Sequence, residues 1–148
     1  MGLFDFAKDI GKKIFGSSDD DDDASTKLKE HIEEDNPGIS NLEVKVEDGV
    51  ATIKGEAESP GAFEKAILMA GNALGISEVK ADEFKAPEQT VEVNYYEIKK
   101  GDSLWKIAEH FYGNGSKYTH IFEANKEVIK DPDLIFPGQK IRIPMDQD

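Results

Sequence analysis

Apolar residues recur at helical spacing at the start of the chain: Leu3, Phe6, Ala7, Ile10 and Ile14, flanked by Phe4 and Phe15. This predicts an amphipathic helix over 1–16. The acidic run Gly16 to Asp23 reads as a solvated linker or a helix-capping run. Ser25 can then cap a helix over about 26–35 with Leu28 and Ile32 on its buried face, ended by Pro37-Gly38. Leu42, Val44 and Val46 alternate with charged residues as a half-buried strand, Asp48-Gly49 makes a hairpin turn, and Val50, Thr52 and Lys54 alternate with Ala51, Ile53 and Gly55 in a second strand. Ser59-Pro60 opens a helix whose apolar stripe is Phe63, Ala66, Ile67, Ala70 and Leu74, with Gly75 as its left-handed stop. Ile76, Val79 and Ala81 supply a third strand. Ala86 to Val93, with Pro87 inside it, is a linker short enough to leave the flanking units in reach of each other.

After the linker, a strand around Tyr95–Ile98 runs into a turn, and Asp102 or Ser103 caps a helix whose apolar face is Leu104, Ile107, Ala108 and Phe111. Gly113 stops it. A second helix over about 116–125 carries Tyr118, Ile121 and Phe122, and Pro137-Gly138 turns the chain into an alternating strand ending at Pro144. The expected architecture is α+β: a short amphipathic helix and acidic linker (1–23), an αββαβ unit (24–86), a linker (87–93) and a βααβ unit (94–148), each small unit with one helical layer.

Composition narrows the function. The net charge is −13, and all three segments are acidic: −4 over 1–23, −6 over 24–86 and −3 over 87–148. Arg142 is the single arginine. Nucleic-acid recognition needs a basic face, so DNA and RNA are excluded as partners, and the charge favours a cation only diffusely. The chain has no cysteine, which removes disulfides, thiolate nucleophiles and sulfur-ligated metals. Five consecutive aspartates, Asp19 to Asp23, lack the turn glycine and ligand spacing of a calcium loop. His31, His110 and His120 are scattered without metal-ligand spacing, and no serine sits in a nucleophile elbow. The expectation is a binding protein rather than an enzyme. Asp5, Lys8 and Asp9 break the first apolar run, which argues against an export signal and for the cytoplasm; Phe6 stands where a myristoylation pattern needs Ser or Thr. The first helix is expected to pack on the following unit, the other reading being a membrane surface.

The strand Val50–Gly55, the Asp48-Gly49 turn and the return strand Ile76-Ser77-Glu78-Val79 resemble the BON domain, a binding module often associated with lipid or membrane. Gly101-Asp102-Ser103-Leu104, Ile107-Ala108, Ile121-Phe122-Glu123-Ala124-Asn125, Pro137-Gly138 and Ile141-Arg142-Ile143-Pro144 resemble the LysM module more specifically. LysM modules commonly bind N-acetylglucosamine polymers in a shallow groove, which the resemblance would line here with Gly101, Asp102, Ser103, Leu104, Ile135 and Phe136. Gly101 and Pro137-Gly138 also satisfy turn geometry without any ligand, and Trp105, one residue off its helix's apolar stripe, suits sugar stacking or edge packing.

Over its whole length, from Met1-Gly2-Leu3-Phe4 onward, the chain resembles the bacterial BON–LysM potassium-binding family. That resemblance implies a cytoplasmic, selective potassium sensor or buffer without an organic cofactor, with its ion site in the BON domain and N-terminal segment and a conformational response to binding. Physically, potassium is weakly hydrated and backbone carbonyls can replace its water. Unpaired carbonyls at a helix C-terminus, at the negative end of the dipole, are ready donors. The segment Ala70–Ile76 is such a terminus, which makes Gly71, Ala73, Gly75 and Ile76 candidate ligands, joined by Ala7 and Ile10 from the first helix. A monomer is expected. Two alternatives stay open: a peptidoglycan adaptor, which requires export, and a membrane-surface adaptor.

Overall fold

A computed structural model of the chain describes Phe6 and residues 21–73, 76–133 and 135–145. The expected first helix, apart from Phe6, and the candidate ligands Ala7, Ile10 and Gly75 lie outside the described residues.

Helix α1 spans Asp21–Glu34, so it begins inside the acidic run, five residues before the sequence pattern suggests. Ser25 is therefore not its cap. It lies within α1, and its hydroxyl accepts a hydrogen bond from the Val46 amide at 2.7 Å, tying the helix to strand β1 (Ile39–Glu47). Leu28 and Ile32 are fully buried, as their spacing predicts. The Asn36 carboxamide oxygen collects the Gly38 and Ile39 amides and turns the chain into β1. Asp48 and Gly49 both have positive φ (50° and 78°), the geometry of a tight two-residue hairpin, and join β1 to the antiparallel strand β2 (Val50–Ala57). Strand β3 (Glu78–Lys80) closes the sheet in the order β1-β2-β3, parallel to β2. It is shorter than expected: Ile76 is buried ahead of it and Ala81 falls just beyond it.

Helix α2 (Pro60–Gly71) starts as predicted. Ser59 is extended and accepts from the Ala62 amide at 3.0 Å, with Pro60 in the first turn. It ends at Gly71 with Asn72 as its C-cap, so Gly75 is not its stop. Its burial also exceeds one stripe. Ala62, Ala66, Ile67, Leu68, Met69 and Ala70 are all buried, along with Glu64. A helix enclosed on more than one side needs neighbours beyond its own sheet, and α2 packs on the first sheet and also against the second unit.

That second unit pairs strand β4 (Val93–Glu97) antiparallel with β5 (Lys140–Pro144). Between them come α3 (Leu104–Tyr112), a 3-10 turn over Gly115–Lys117 and α4 (Tyr118–Ala124). Of the two expected caps, Ser103 is the one, accepting from the Lys106 amide at 3.2 Å, and Gly113 (φ 74°) ends α3 in the left-handed conformation. Ile98, Leu104, Ile107, Ala108, Ile121, Ile129, Ile141 and Ile143 form its core. Val128, half-buried, packs against both cores. Among the described residues, no helix is long and apolar enough to cross a membrane.

Candidate functional site

At the end of α2, three parts of the chain meet. Asn72 stops the helix with near-zero ψ (φ −78°, ψ 3°), and its amide donates to the Leu68 carbonyl at 2.9 Å. Its side chain leaves the helix and clasps the backbone of Lys140. Asn72 Oδ1 accepts from the Lys140 amide and Nδ2 donates to the Lys140 carbonyl, both at 2.8 Å. Phe6 arrives from the N-terminal segment, and its amide donates to the Ser77 carbonyl at 3.0 Å. Its ring lies so close on Gly71 that a Cβ there would fall 2.1 Å from the ring carbons. Gly71 is thus needed for the approach of an aromatic ring rather than for an unusual backbone angle. Over that ring, 4.5 Å from its centroid, stands Lys140 Nζ, on a side chain that is 1% exposed.

Two carbonyls at this helix end accept backbone hydrogen bonds between described residues: Ala70 O from Ala73 N at 3.4 Å, and Ala73 O from Ile76 N at 3.2 Å. Each carbonyl oxygen carries two lone pairs. These neutral oxygens at the negative end of α2 fit a weakly hydrated monovalent cation. Among the described residues there is no cluster of three or more His, Cys, Asp or Glu able to hold a metal, which is what a divalent hard cation would ask for. The structure brings Gly71, Ala73 and Ile76 together with Phe6.

About two helical turns toward the start of α2, a second contact crosses between the units. Arg142 Nε donates to Glu64 Oε1 at 2.8 Å, and both side chains are nearly enclosed. Arg142 Nη1 also reaches the Ala124 carbonyl at 3.0 Å, and Gln89 Nε2 donates to Glu64 Oε2 at 2.7 Å. Asn125, fully buried, fixes the Arg142 backbone through its own amide and ties it to the Ile121 carbonyl. Burial, and next the Glu64 carboxylate, push the nearby Tyr95 hydroxyl well above its ordinary range. Lys65–Glu127 (2.6 Å) and Lys130–Asp35 add two further ion pairs between the units. An open cleft of about 460 Å³ beside this contact is lined by Pro60, Gly61, Gln89, His120, Glu123 and Arg142.

The residues expected to line a sugar groove separate. Ser103 and Leu104 border a cleft of about 390 Å³ with Trp105, Tyr118, Pro132 and Asp133. Trp105 is 51% exposed, rests on the Gly115 backbone and lies 6.0 Å from the Tyr118 ring. Gly101 (φ 89°) and Asp102 build the turn before α3. Asp102 accepts from the Tyr96 hydroxyl and from the Lys99 amide. That hydrogen bond, followed by burial and the carboxylate's charge, pushes Tyr96 up to about 12. Ile135 packs on the second core, whereas Phe136 faces a small pocket shared with His31, Met69 and Asn72 of the first unit.

An αββαβ layer clasped to a βααβ unit defines a two-module binding architecture, and the sequence matches family models for both parts: a BON domain over residues 20–87 and a LysM domain over 96–144. The chain is 39% identical over 148 residues to the Potassium binding protein Kbp of Escherichia coli O6:H1, covering 97% of this chain and 99% of that protein, and it belongs to the same BON–LysM family. Shorter similarities reach an uncharacterized protein of Deinococcus radiodurans (47% over 49% of this chain and 26% of that one) and the Resuscitation-promoting factor Rpf of Micrococcus luteus (38% over 32% of this chain and 21% of that one).

Sequence reasoning missed Glu64, Asn72, Lys140 and the role of Arg142. The available signal was a lone arginine two residues from a lysine in a strand otherwise made of isoleucine and proline.

Proposed function

We propose that this chain is a cytoplasmic potassium-binding protein, a sensor or buffer acting as a monomer and not an enzyme. Its ion is held by backbone carbonyls of the BON module and the N-terminal segment, with Ala7, Ile10, Gly71, Ala73, Gly75 and Ile76 as candidate ligands. The domain limits 24–86 and 94–148 with a joining segment 87–93 belong to the same reading. The end-to-end similarity to Kbp supports the ion. The observation that supports the location is the docking of Phe6 on Gly71 and Ser77 at the end of α2.

Binding there would tighten the N-terminal segment on α2. Asn72, which joins that helix end to β5, would pass the change to the LysM module. A ligand shifts a conformational equilibrium only by its differential affinity for the two states. An ion whose ligands come from two segments has that difference built in. Calorimetric titration of potassium-free protein with potassium chloride, run against sodium chloride at matched ionic strength, tests the reading. Saturable heat with potassium alone is expected. Equal heats for the two salts would reduce the effect to diffuse counter-ion binding.

A second reading rests on Trp105. A half-exposed indole backed by Tyr118 at the mouth of a cleft is a stacking platform for a sugar ring. Because Trp105 is the sole tryptophan, N-acetylglucosamine oligomers that bound there would change the protein's indole fluorescence, and an unchanged spectrum at saturating oligomer would remove this reading.

A further inference from the structure

We infer that the cleft beside the start of α3 binds a quaternary ammonium group, held by the rings of Trp105 and Tyr118 and the carboxylate of Asp133. The inference stands apart from the potassium reading and concerns another part of the molecule. Among the described residues Trp105 is the one large hydrophobic side chain left exposed. Its indole rests on the backbone of Gly115, where a Cβ would fall 2.3 Å from Nε1. Gly115 thus gives the indole a fixed seat while about half of its surface stays open. The Tyr118 ring lies 6.0 Å away, centroid to centroid, with the two planes inclined by 41°. Both rings line the cleft of about 390 Å³ with Ser103, Leu104, Pro132 and Asp133, a volume in the range of small-molecule sites.

Two inclined rings bound a wedge. A flat sugar ring uses one open face; a rounded cation with methyl groups uses both. An aromatic face attracts a cation seated within about 6 Å of its centroid, more strongly when the cation sheds little water to arrive. A quaternary ammonium has no N–H to satisfy, so ring faces and one carboxylate are a complete set of partners. An alkali ion would lose water that these groups do not replace, and the Ser103 hydroxyl oxygen already accepts from the Lys106 amide. Asp133 is exposed and is the one charged residue among the described residues lining the cleft. Its amide donates to Asp131 Oδ1 at 2.9 Å, which keeps a second carboxylate close by. The net charge of −13 raises the concentration of any cation around the molecule.

The test titrates the full chain with choline, with its uncharged isostere in which carbon replaces the quaternary nitrogen, and with N-acetylglucosamine oligomers. Indole fluorescence and calorimetry are read together at constant ionic strength in potassium-free buffer. Because Trp105 is the sole tryptophan, the fluorescence reports on this cleft. Choline is expected to give a saturable change, with the isostere about tenfold weaker. Trp105→Leu should abolish the saturable heat, Asp133→Asn should weaken it several-fold, and Tyr118→Phe, which keeps the ring face, should retain it. Trp105 and Asp133 are exposed, so their variants are expected to fold, and a melting curve of each checks this. Co-sedimentation with phosphatidylcholine vesicles separates the sources of the group: choline binding without capture assigns a free solute, and capture lost in Trp105→Leu assigns a lipid headgroup. Equal affinity for the isostere would overturn the inference, leaving a merely apolar cleft. Heat unchanged in Trp105→Leu would overturn it as diffuse counter-ion attraction. A response to the sugar oligomers alone would overturn it in favour of the sugar reading, and no response to any probe would remove both. Potassium binding is untouched by each of these results.

Discussion

Lys140 and Arg142 stand two residues apart on β5, share the face turned toward α2, and are both buried. Their surroundings differ. Arg142 meets a carboxylate, Glu64, and a helix-end carbonyl, Ala124, so its charge is fixed by rigid, directional bonds. Lys140 has its ammonium over the face of Phe6, a residue of the N-terminal segment, and its backbone is clasped by Asn72. The first arrangement is a permanent joint between the modules. The second couples the same strand to Phe6, at the end of α2. Two like charges on one strand thus meet different surroundings: one a carboxylate of α2, the other an aromatic face.

The sharpest way to break this contrast is to remove the counter-charge of the permanent joint. Glu64→Ala leaves Arg142 buried without its carboxylate and should cost about 3–5 kcal/mol of unfolding free energy in urea titration. The pair Glu64→Met with Arg142→Met should recover most of that loss, because a packed apolar pair needs no compensation. Asn72→Ala removes two hydrogen bonds from a buried backbone and should cost about 1–3 kcal/mol. It should also lower potassium affinity, an effect absent from the Glu64→Met/Arg142→Met protein. Smaller still is the alkaline behaviour of Tyr96, raised from 10.0 to about 12 by its bond to Asp102. The folded state holds this proton more tightly than the unfolded chain. Its contribution is therefore complete below pH 10 and fades as pH rises toward 12, and Tyr96→Phe should flatten that part of the stability profile. At the bottom, Glu83→Gln breaks only the exposed pair with Lys54 and should leave the melting temperature unchanged at physiological salt.

Much of this fold is legible in the amino-acid order because local chemistry specifies it. Asp48-Gly49 dictates a hairpin, Ser59-Pro60 a helix start, Ser103 a cap and Gly113 a stop. What escapes is decided by contacts distant along the chain. Ser25 looks like a cap, but its hydroxyl serves Val46, twenty-one residues away. Gly75 looks like a helix stop, but the helix ends at Gly71 and is capped by Asn72, whose side chain answers to Lys140, sixty-eight residues on. The alternation in β5 reads as one buried and one solvated face; the second face is buried by α2. The proposed carbonyl ligands are the hardest to read, since backbone oxygens leave no side-chain signature. Gly71, a candidate ligand on sequence grounds, has a packing role that the sequence does not signal: its missing Cβ admits the ring of Phe6.

The most direct test of the central claim is a carbonyl carbon chemical-shift titration of the native chain with potassium at constant ionic strength, with sodium as the control. Potassium binding at the end of α2 predicts saturable shifts concentrated at residues 7, 10, 71, 73, 75 and 76, absent with sodium. Saturable shifts clustered elsewhere, or small changes spread over the acidic surface and shared by both salts, would contradict it.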